Sequence, residues 1–306
     1  MLGFFDSGFG GLSILKEILD AGAGAGVGVG ASFGAGAGAG VCLRAGAVAG
    51  VKKTAREKSS LFDYDFVYLG DTARAPYGNY SPETIYRYTT EALEFLFKHG
   101  CDLVILVCFT ASANALRKIQ QEWLPTHFPD KKVLGVLIPT VEEVVSVSKN
   151  GRVGILGTRA TINSGAVEAE LKKRHPELQV FCKASPLLVP LIEEGWTRRP
   201  ETKRILRFYL RPLKEKNIDT LILACTHYPI LQKEIQAVIG KKVKVINPGQ
   251  AEKKSLVDYL ARHSEIEQKL SKAGGRKFYT TGRVEDFERL GGRFLGLPFK
   301  AEKAVL

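Results

Sequence analysis

One short pattern occurs twice in this chain, and it constrains the fold more than any other feature. DLVILVCFTAS runs from Asp102 to Ser112, and DTLILACTHYP runs from Asp219 to Pro229. Each copy has an Asp, then a short apolar run, then a Cys six residues after the Asp. An apolar run of this length reads as a strand buried on both faces, the habit of parallel sheets. Open α/β sheets gather their chemistry outside the C-terminal ends of their strands. Cys108 and Cys225 are therefore expected at two such ends. Two thiols delivered in the same way predict a two-sided site, with one thiol on each face of a single substrate atom.

The rest of the chain fits this frame. Strands are expected at 2–5, 66–69, 103–107, 133–138, 153–156, 180–182, 221–224, 243–246 and 277–280. Helical patterns lie between most of them, for example at 81–99, 111–122, 160–174 and 201–216. Ser81-Pro82-Glu83 is a helix start, with Ser as N-cap and Pro at the first helical position. Strands that alternate with helices form βαβ units and mostly parallel sheets. A chain of 306 residues accommodates two doubly wound α/β domains. The two Cys strands divide between them, with the first domain at about 1–130 and the second at about 131–251.

Residues 21–43 break the pattern. They carry no charge, and nine of them are Gly and seven Ala. Gly loses the most entropy on ordering and Ala buries little surface, so no packed core is expected there. The segment from about 21 to 60 reads as a low-complexity surface insertion.

Composition excludes several classes. Hydrophobic residues at 45% and charged residues at 25% are ordinary for a soluble globular protein. The start of the chain has no secretory pattern, because Asp6 interrupts its apolar run. Five Cys with no C-x-x-C argue against a disulfide framework and against a zinc ribbon. Reduced thiols in the cytoplasm are the expectation, with no metal and no membrane span. The formal net charge of +12 is compatible with a solvated basic surface. Nucleic acid is a conceivable partner, but no zinc finger, RNP-like aromatic pair or recognition helix supports it.

Three further stretches carry chemistry. Asp6 and Ser7 follow the first expected strand, and Gly8, Gly10 and Gly11 open the next helix. Such a turn offers backbone N–H groups to an anion, a phosphate or a carboxylate. An isolated turn of this kind is equally a tight turn capped by Asp6. Pro76-Tyr77-Gly78 exposes backbone groups in a second turn. A lone strand-end Cys is more often a small buried hydrophobe than a nucleophile. Here Thr110 and Ser112 follow Cys108, and Thr226 and His227 follow Cys225. A reactive thiol needs a base or a positive field. His227 can serve Cys225, and Asp6 is the expected partner of Cys108.

At this point the chain resembles the glutamate racemases of the aspartate/glutamate racemase superfamily. The stretches that carry the resemblance are FDSGFGGLSIL, YLGDTARAPYG, the C-x-TASA run at Cys108, GVLIPTVEE, VGILGTRATINSG, LVPLIEEG, ACTHYPIL and INPGQA. They thread the whole chain except residues 21–60. The resemblance implies two α/β domains with the active site in the cleft between them. It also returns the tail, about 252–306, to the first domain. It implies cofactor-independent conversion of L-glutamate to D-glutamate for peptidoglycan synthesis, by an enzyme that commonly forms a homodimer. Cys108 and Cys225 would be the two acid–base groups, assisted by Asp6 and His227, with Asp71 and Glu193 in support. Asp6, Ser7, Pro76, Tyr77, Gly78, Phe109, Thr110, Thr226 and His227 match substrate-binding positions.

One departure is specific to this chain. The family has Asn after the first Cys, where this chain has Phe109. Phe offers neither donor nor acceptor. A hydrogen bond lost to a charged group costs roughly 1.5–3 kcal/mol. The expectation is binding or turnover about ten- to a hundredfold poorer. Phe109 also leaves two other readings open: a racemase for aspartate or another acidic amino acid, and a catalytically impaired binding protein.

Overall fold

The computed structural model describes residues 1–19 and 61–306. The expected insertion at about 21–60 therefore lies outside the described residues. Ten strands are described: β1 (Leu2–Asp6), β2 (Phe66–Gly70), β3 (Leu103–Leu106), β4 (Lys132–Gly135), β5 (Arg152–Gly157), β6 (Gln179–Ala184), β7 (Thr220–Ala224), β8 (Lys244–Ile246), β9 (Arg276–Thr280) and β10 (Glu302–Lys303). They form a six-stranded sheet in the order β10-β9-β2-β1-β3-β4 and a four-stranded sheet in the order β6-β5-β7-β8. Every described strand pair is parallel. The mixed α/β class with parallel sheets is as expected, and helices supply the crossovers.

The two Asp residues of the repeated pattern root their strands. Asp102 accepts from Lys131 Nζ at 2.8 Å. Asp219 accepts from the backbone N–H groups of Lys149 and Asn150, both at 2.6 Å. Each carboxylate thus ties down a loop at the strand's N-terminal edge, opposite its Cys.

Four expectations need correction. The strand expected at 133–138 ends at Gly135, and Leu137–Val147 is a helix. Pro139 falls in the first helical turn, where its missing N–H costs nothing. This strand also belongs to the first sheet rather than opening the second: Leu103 pairs with Lys132 and Leu106 with Gly135. The helix expected at 111–122 begins earlier, at Phe109–Asn114, and continues through a short helix and a π turn at Ile119–Trp123. The helix expected at 160–174 is two helices, Arg159–Asn163 and Ala166–Arg174. Gly165 separates them at φ 65°, a left-handed conformation that other side chains rarely adopt. The start at Ser81 is as read: Ser81 Oγ accepts from Thr84 N–H at 3.3 Å, ahead of helix Pro82–Lys98.

The main apolar cluster draws on both sheets, from Phe4 and Ile105 to Ile155 and Ile222. The helix Pro248–Arg262 packs against Gly11–Leu19 of the first unit and Leu137–Val147 beside the second sheet. Among the described residues no helix is long and apolar enough to cross a membrane.

Candidate active site

β1 lies between β2 and β3, so the ends of these strands are neighbours. Asp6 is the last residue of β1, and Ser7 and Gly8 follow it. Cys108 stands two residues beyond β3 as N-cap of helix Phe109–Asn114. The Ala111 N–H points at its Sγ from 3.5 Å, and Ser7 Oγ lies 3.3 Å from the same sulfur. Cys225 directly follows β7 of the other sheet, with Thr226 and His227 next.

These residues meet in one cavity of about 370 Å³, its open mouth included. Ser7, Pro76, Tyr77, Gly78, Cys108, Phe109, Thr110, Glu193, Cys225, Thr226 and His227 all line it. Asp6 and Asp71 do not; both are wholly buried behind the wall. Gly8, from the turn expected to offer backbone N–H groups, also lines the cavity, whereas Ala75, Thr158 and Val189 line it and were not singled out from the sequence. Thr158 was within reach of that reading. It follows β5 and caps helix Arg159–Asn163, the same strand-end position as the two Cys.

Close backbone approach joins the halves. A Cβ on Gly10 would stand 2.3 Å from Thr226 Oγ1 and 2.5 Å from His227 Nδ1. A Cβ on Gly78 would stand 2.8 Å from Thr158 Cβ. Real side chains do not tolerate such distances, so Gly at these positions is a packing requirement. Hydrogen bonds cross the same seam. Thr226 Oγ1 donates to Asp6 Oδ1 at 3.3 Å, and Ser13 Oγ donates to the Thr226 carbonyl at 2.8 Å. Thr110 Oγ1 lies 3.1 Å from Thr158 Oγ1 and 3.2 Å from Thr161 Oγ1.

The electrostatics differ from one thiol to the other. Burial pushes the Cys108 thiol up to about 12, and the Asp6 charge adds to it, against hydrogen bonds from Ser7 and Ala111. Burial also raises Asp6 above the usual carboxylate value, opposed by the charge of His227 and by backbone N–H groups. Gly8 N–H, at 3.0 Å from Asp6 Oδ2, is one of these. Burial alone would lower His227. Its contacts with Cys225 and Glu193 outweigh burial and raise it to about 10. Those contacts are His227 Nδ1 at 3.9 Å from Cys225 Sγ and Nε2 at 3.0 Å from Glu193 Oε1. A buried charge is tolerated only when paired in this way.

Asp71 acts through a neighbour. Its Oδ2 accepts from Tyr77 OH and from Arg74 Nε at 2.6 Å, and its Oδ1 accepts from Thr281 Oγ1 at 2.6 Å. Arg74 also pairs with Glu91 and lies 4.0 Å over the Tyr88 ring. This network clamps the Pro76-Tyr77-Gly78 turn into the cavity wall. Phe109 lines the cavity yet is only 1% exposed and belongs to the main apolar cluster. Its ring is therefore part of the packing and not a loose obstruction. Among the described residues no group of three or more His, Cys, Asp or Glu is placed to ligate a metal.

Comparison with known proteins agrees with the geometry. A family model described as Asp/Glu/Hydantoin racemase matches residues 48–254. The glutamate racemase of Geobacter metallireducens is 36% identical over 295 residues, covering 96% of this chain and 92% of that protein. The crystal structure of a glutamate racemase isoform from Bacillus anthracis superposes with TM-score 0.80 at 28% identity, covering 100% of this chain and 97% of that one. The glutamate racemase of Francisella tularensis in complex with D-glutamate gives TM-score 0.77 at 28% identity, covering 100% and 96%.

Proposed function

The chain belongs to the Asp/Glu/Hydantoin racemase family, and from that premise we propose that it is an amino-acid racemase that interconverts L- and D-glutamate without a cofactor. One observation carries the reading: two cysteines from equivalent strand ends of two sheets line a single cavity. The Cα–H of glutamate is a weak acid. One sulfur, as thiolate, takes that proton and leaves a carbanion stabilised by the adjacent carboxylate. The opposite thiol gives its proton to the other face, so the product has inverted configuration and the two sulfurs have exchanged roles. This is general acid–base catalysis by a matched pair.

In this scheme Asp6 assists Cys108, and His227, held by Glu193, assists Cys225. Ser7, the Pro76-Tyr77-Gly78 turn, Thr110 and Thr226 hold the substrate's charged groups, with Asp71 positioning Tyr77. Such clamps pre-set the geometry and lower the entropic part of the barrier. The reading carries with it a homodimeric, cytoplasmic enzyme supplying D-glutamate for peptidoglycan.

The test is NMR of purified protein with L- or D-glutamate in D2O, no cofactor added. Loss of the Cα proton signal with appearance of the other enantiomer is the expected result. A folded sample that exchanges aspartate and leaves glutamate untouched would move the assignment to an aspartate racemase. No exchange of either would sink the racemase reading.

A further inference from the structure

The helix Pro200–Glu215 turns one face into the second sheet and the other to solvent, and the solvent face is strongly basic. It carries Lys203, Arg204, Arg207, Arg211 and Lys214 against two acids, Glu201 and Glu215. Arg211 is paired with Glu215 at 2.8 Å, whereas Lys203, Arg204 and Arg207 have no ion-pair partner among the described residues. Arg204, Arg207, Phe208 and Arg211 recur at i, i+3, i+4 and i+7, one stripe of a helix. Phe208 is 68% exposed in the middle of that stripe. A large aromatic left in water between cations is the unusual feature here.

Aromatics continue beyond the helix. At its start Trp196 is 38% exposed, with the Arg199 guanidinium 4.8 Å from the ring. The helix packs along β6, an edge strand. Lys183 of β6 has its Nζ 5.3 Å from the Phe208 ring, and Arg152, at the start of the neighbouring β5, lies 5.1 Å from Phe181 of β6. Cations and half-exposed rings are thus interleaved over about 24 Å, the length of a helix of 16 residues.

We infer that this face binds single-stranded nucleic acid. Charge selects a polyanion, and it opposes burial against a second copy of the chain, which would set the same cations face to face. The exposed rings then distinguish among polyanions. They offer stacking surfaces to unpaired bases, and guanidinium groups tracking a phosphate backbone complete the usual single-strand site. A duplex hides its base faces, and a lipid surface presents none. The site lies apart from the cavity and does not depend on the racemase reading.

The test uses a fluorescein-labelled oligothymidylate of about twenty nucleotides and fluorescence anisotropy across about 50 to about 200 mM salt. The wild-type chain is expected to bind, with affinity falling as salt rises. Joint replacement of Lys203, Arg204 and Arg207 by Gln should weaken binding at least about tenfold. It should also reduce the slope of log K against log salt by about two, from roughly 0.7 per phosphate contact on a single strand. Phe208→Ala should weaken binding by about fivefold or more while leaving the salt slope unchanged. Circular dichroism melts of both variants establish that they are folded. No binding by the wild type at low salt would overturn the inference. So would equal affinity for duplex DNA of the same length, or binding only to vesicles containing anionic lipid.

Discussion

The two thiols enter the cavity from matching positions, yet their surroundings differ. Cys108 faces a carboxyl, Asp6, whose negative charge adds to burial in holding the proton on sulfur. Cys225 faces an imidazole, His227, which Glu193 helps keep protonated. The first side is arranged to present a thiol, and the second places a positive charge beside its sulfur. A symmetric sequence pattern thus yields an asymmetric pair, which suits the proposed two-thiol reaction with its one acid and one base at each moment. The halves also communicate directly, since Thr226 beside Cys225 donates to Asp6 beside Cys108.

The largest effect that would test this comparison is loss of either sulfur. Cys108→Ala and Cys225→Ala should each lower racemisation by at least about a thousandfold. Each variant should keep slow Cα–H exchange for the enantiomer that faces its remaining thiol. Exchange of the same enantiomer by both variants in D2O would break the two-sided arrangement.

Gly10→Ala should come next, with turnover down by about a hundredfold. The added methyl cannot share space with Thr226 and His227, so it must push the Cys225 half away. Steady-state rates in both directions measure this. Normal activity would mean that the seam is more yielding than its distances imply.

Glu193→Gln sharpens the comparison on one side only. It removes one of the two partners that raise His227, so the alkaline limb of the pH–rate profile should move toward neutrality. The stability effect has a definite sign. The folded value of about 10 lies above the ordinary 6.5, so this stabilisation is fully present below about 6.5 and is lost as pH rises through about 10. The variant should therefore lose stability at neutral pH and converge with the wild type at high pH. Urea midpoints across pH would detect it, and a uniform offset would count against the assignment.

The smallest effect on rate is expected from Phe109→Asn. The added amide should improve substrate binding by about tenfold. It should also cost roughly 3 kcal/mol of stability, because a buried ring is exchanged for a polar group in an apolar cluster. KM and thermal denaturation separate the two. A lower KM with an unchanged melting point would show that the ring contributes little packing.

Much of this molecule was legible in local patterns. The apolar runs at Leu103 and Leu221 are strands whichever domain holds them, because alternation with helices and burial on both faces leave the same mark. Ser81-Pro82 starts a helix for reasons confined to three residues. The strand around Val133 shows where such reading stops. Its composition suits either sheet, and only its pairing with β3 assigns it to the first. Asp71 likewise reads as one more acid near the site, whereas its hydrogen bonds make it the clamp of Tyr77.

The amino-acid sequence by itself determined the parallel α/β class, the two strand-end cysteines and nearly every residue of the cavity wall. The class and the strand-end cysteines follow from spacing along the chain, which local sterics and burial translate directly into strands and exposed ends. Many of the wall residues, Phe109 and Glu193 among them, were named only through the resemblance to the racemase family. Tertiary structure alone decided which sheet received the Val133 strand, how Phe109 packs, and how burial and Glu193 set the charge of Asp6 and His227, the partners expected of Cys108 and Cys225. Those depend on residues far apart in the chain, Asp6 with Thr226 and Glu193 with His227, and on a burial that exists only once both sheets have closed on one cavity.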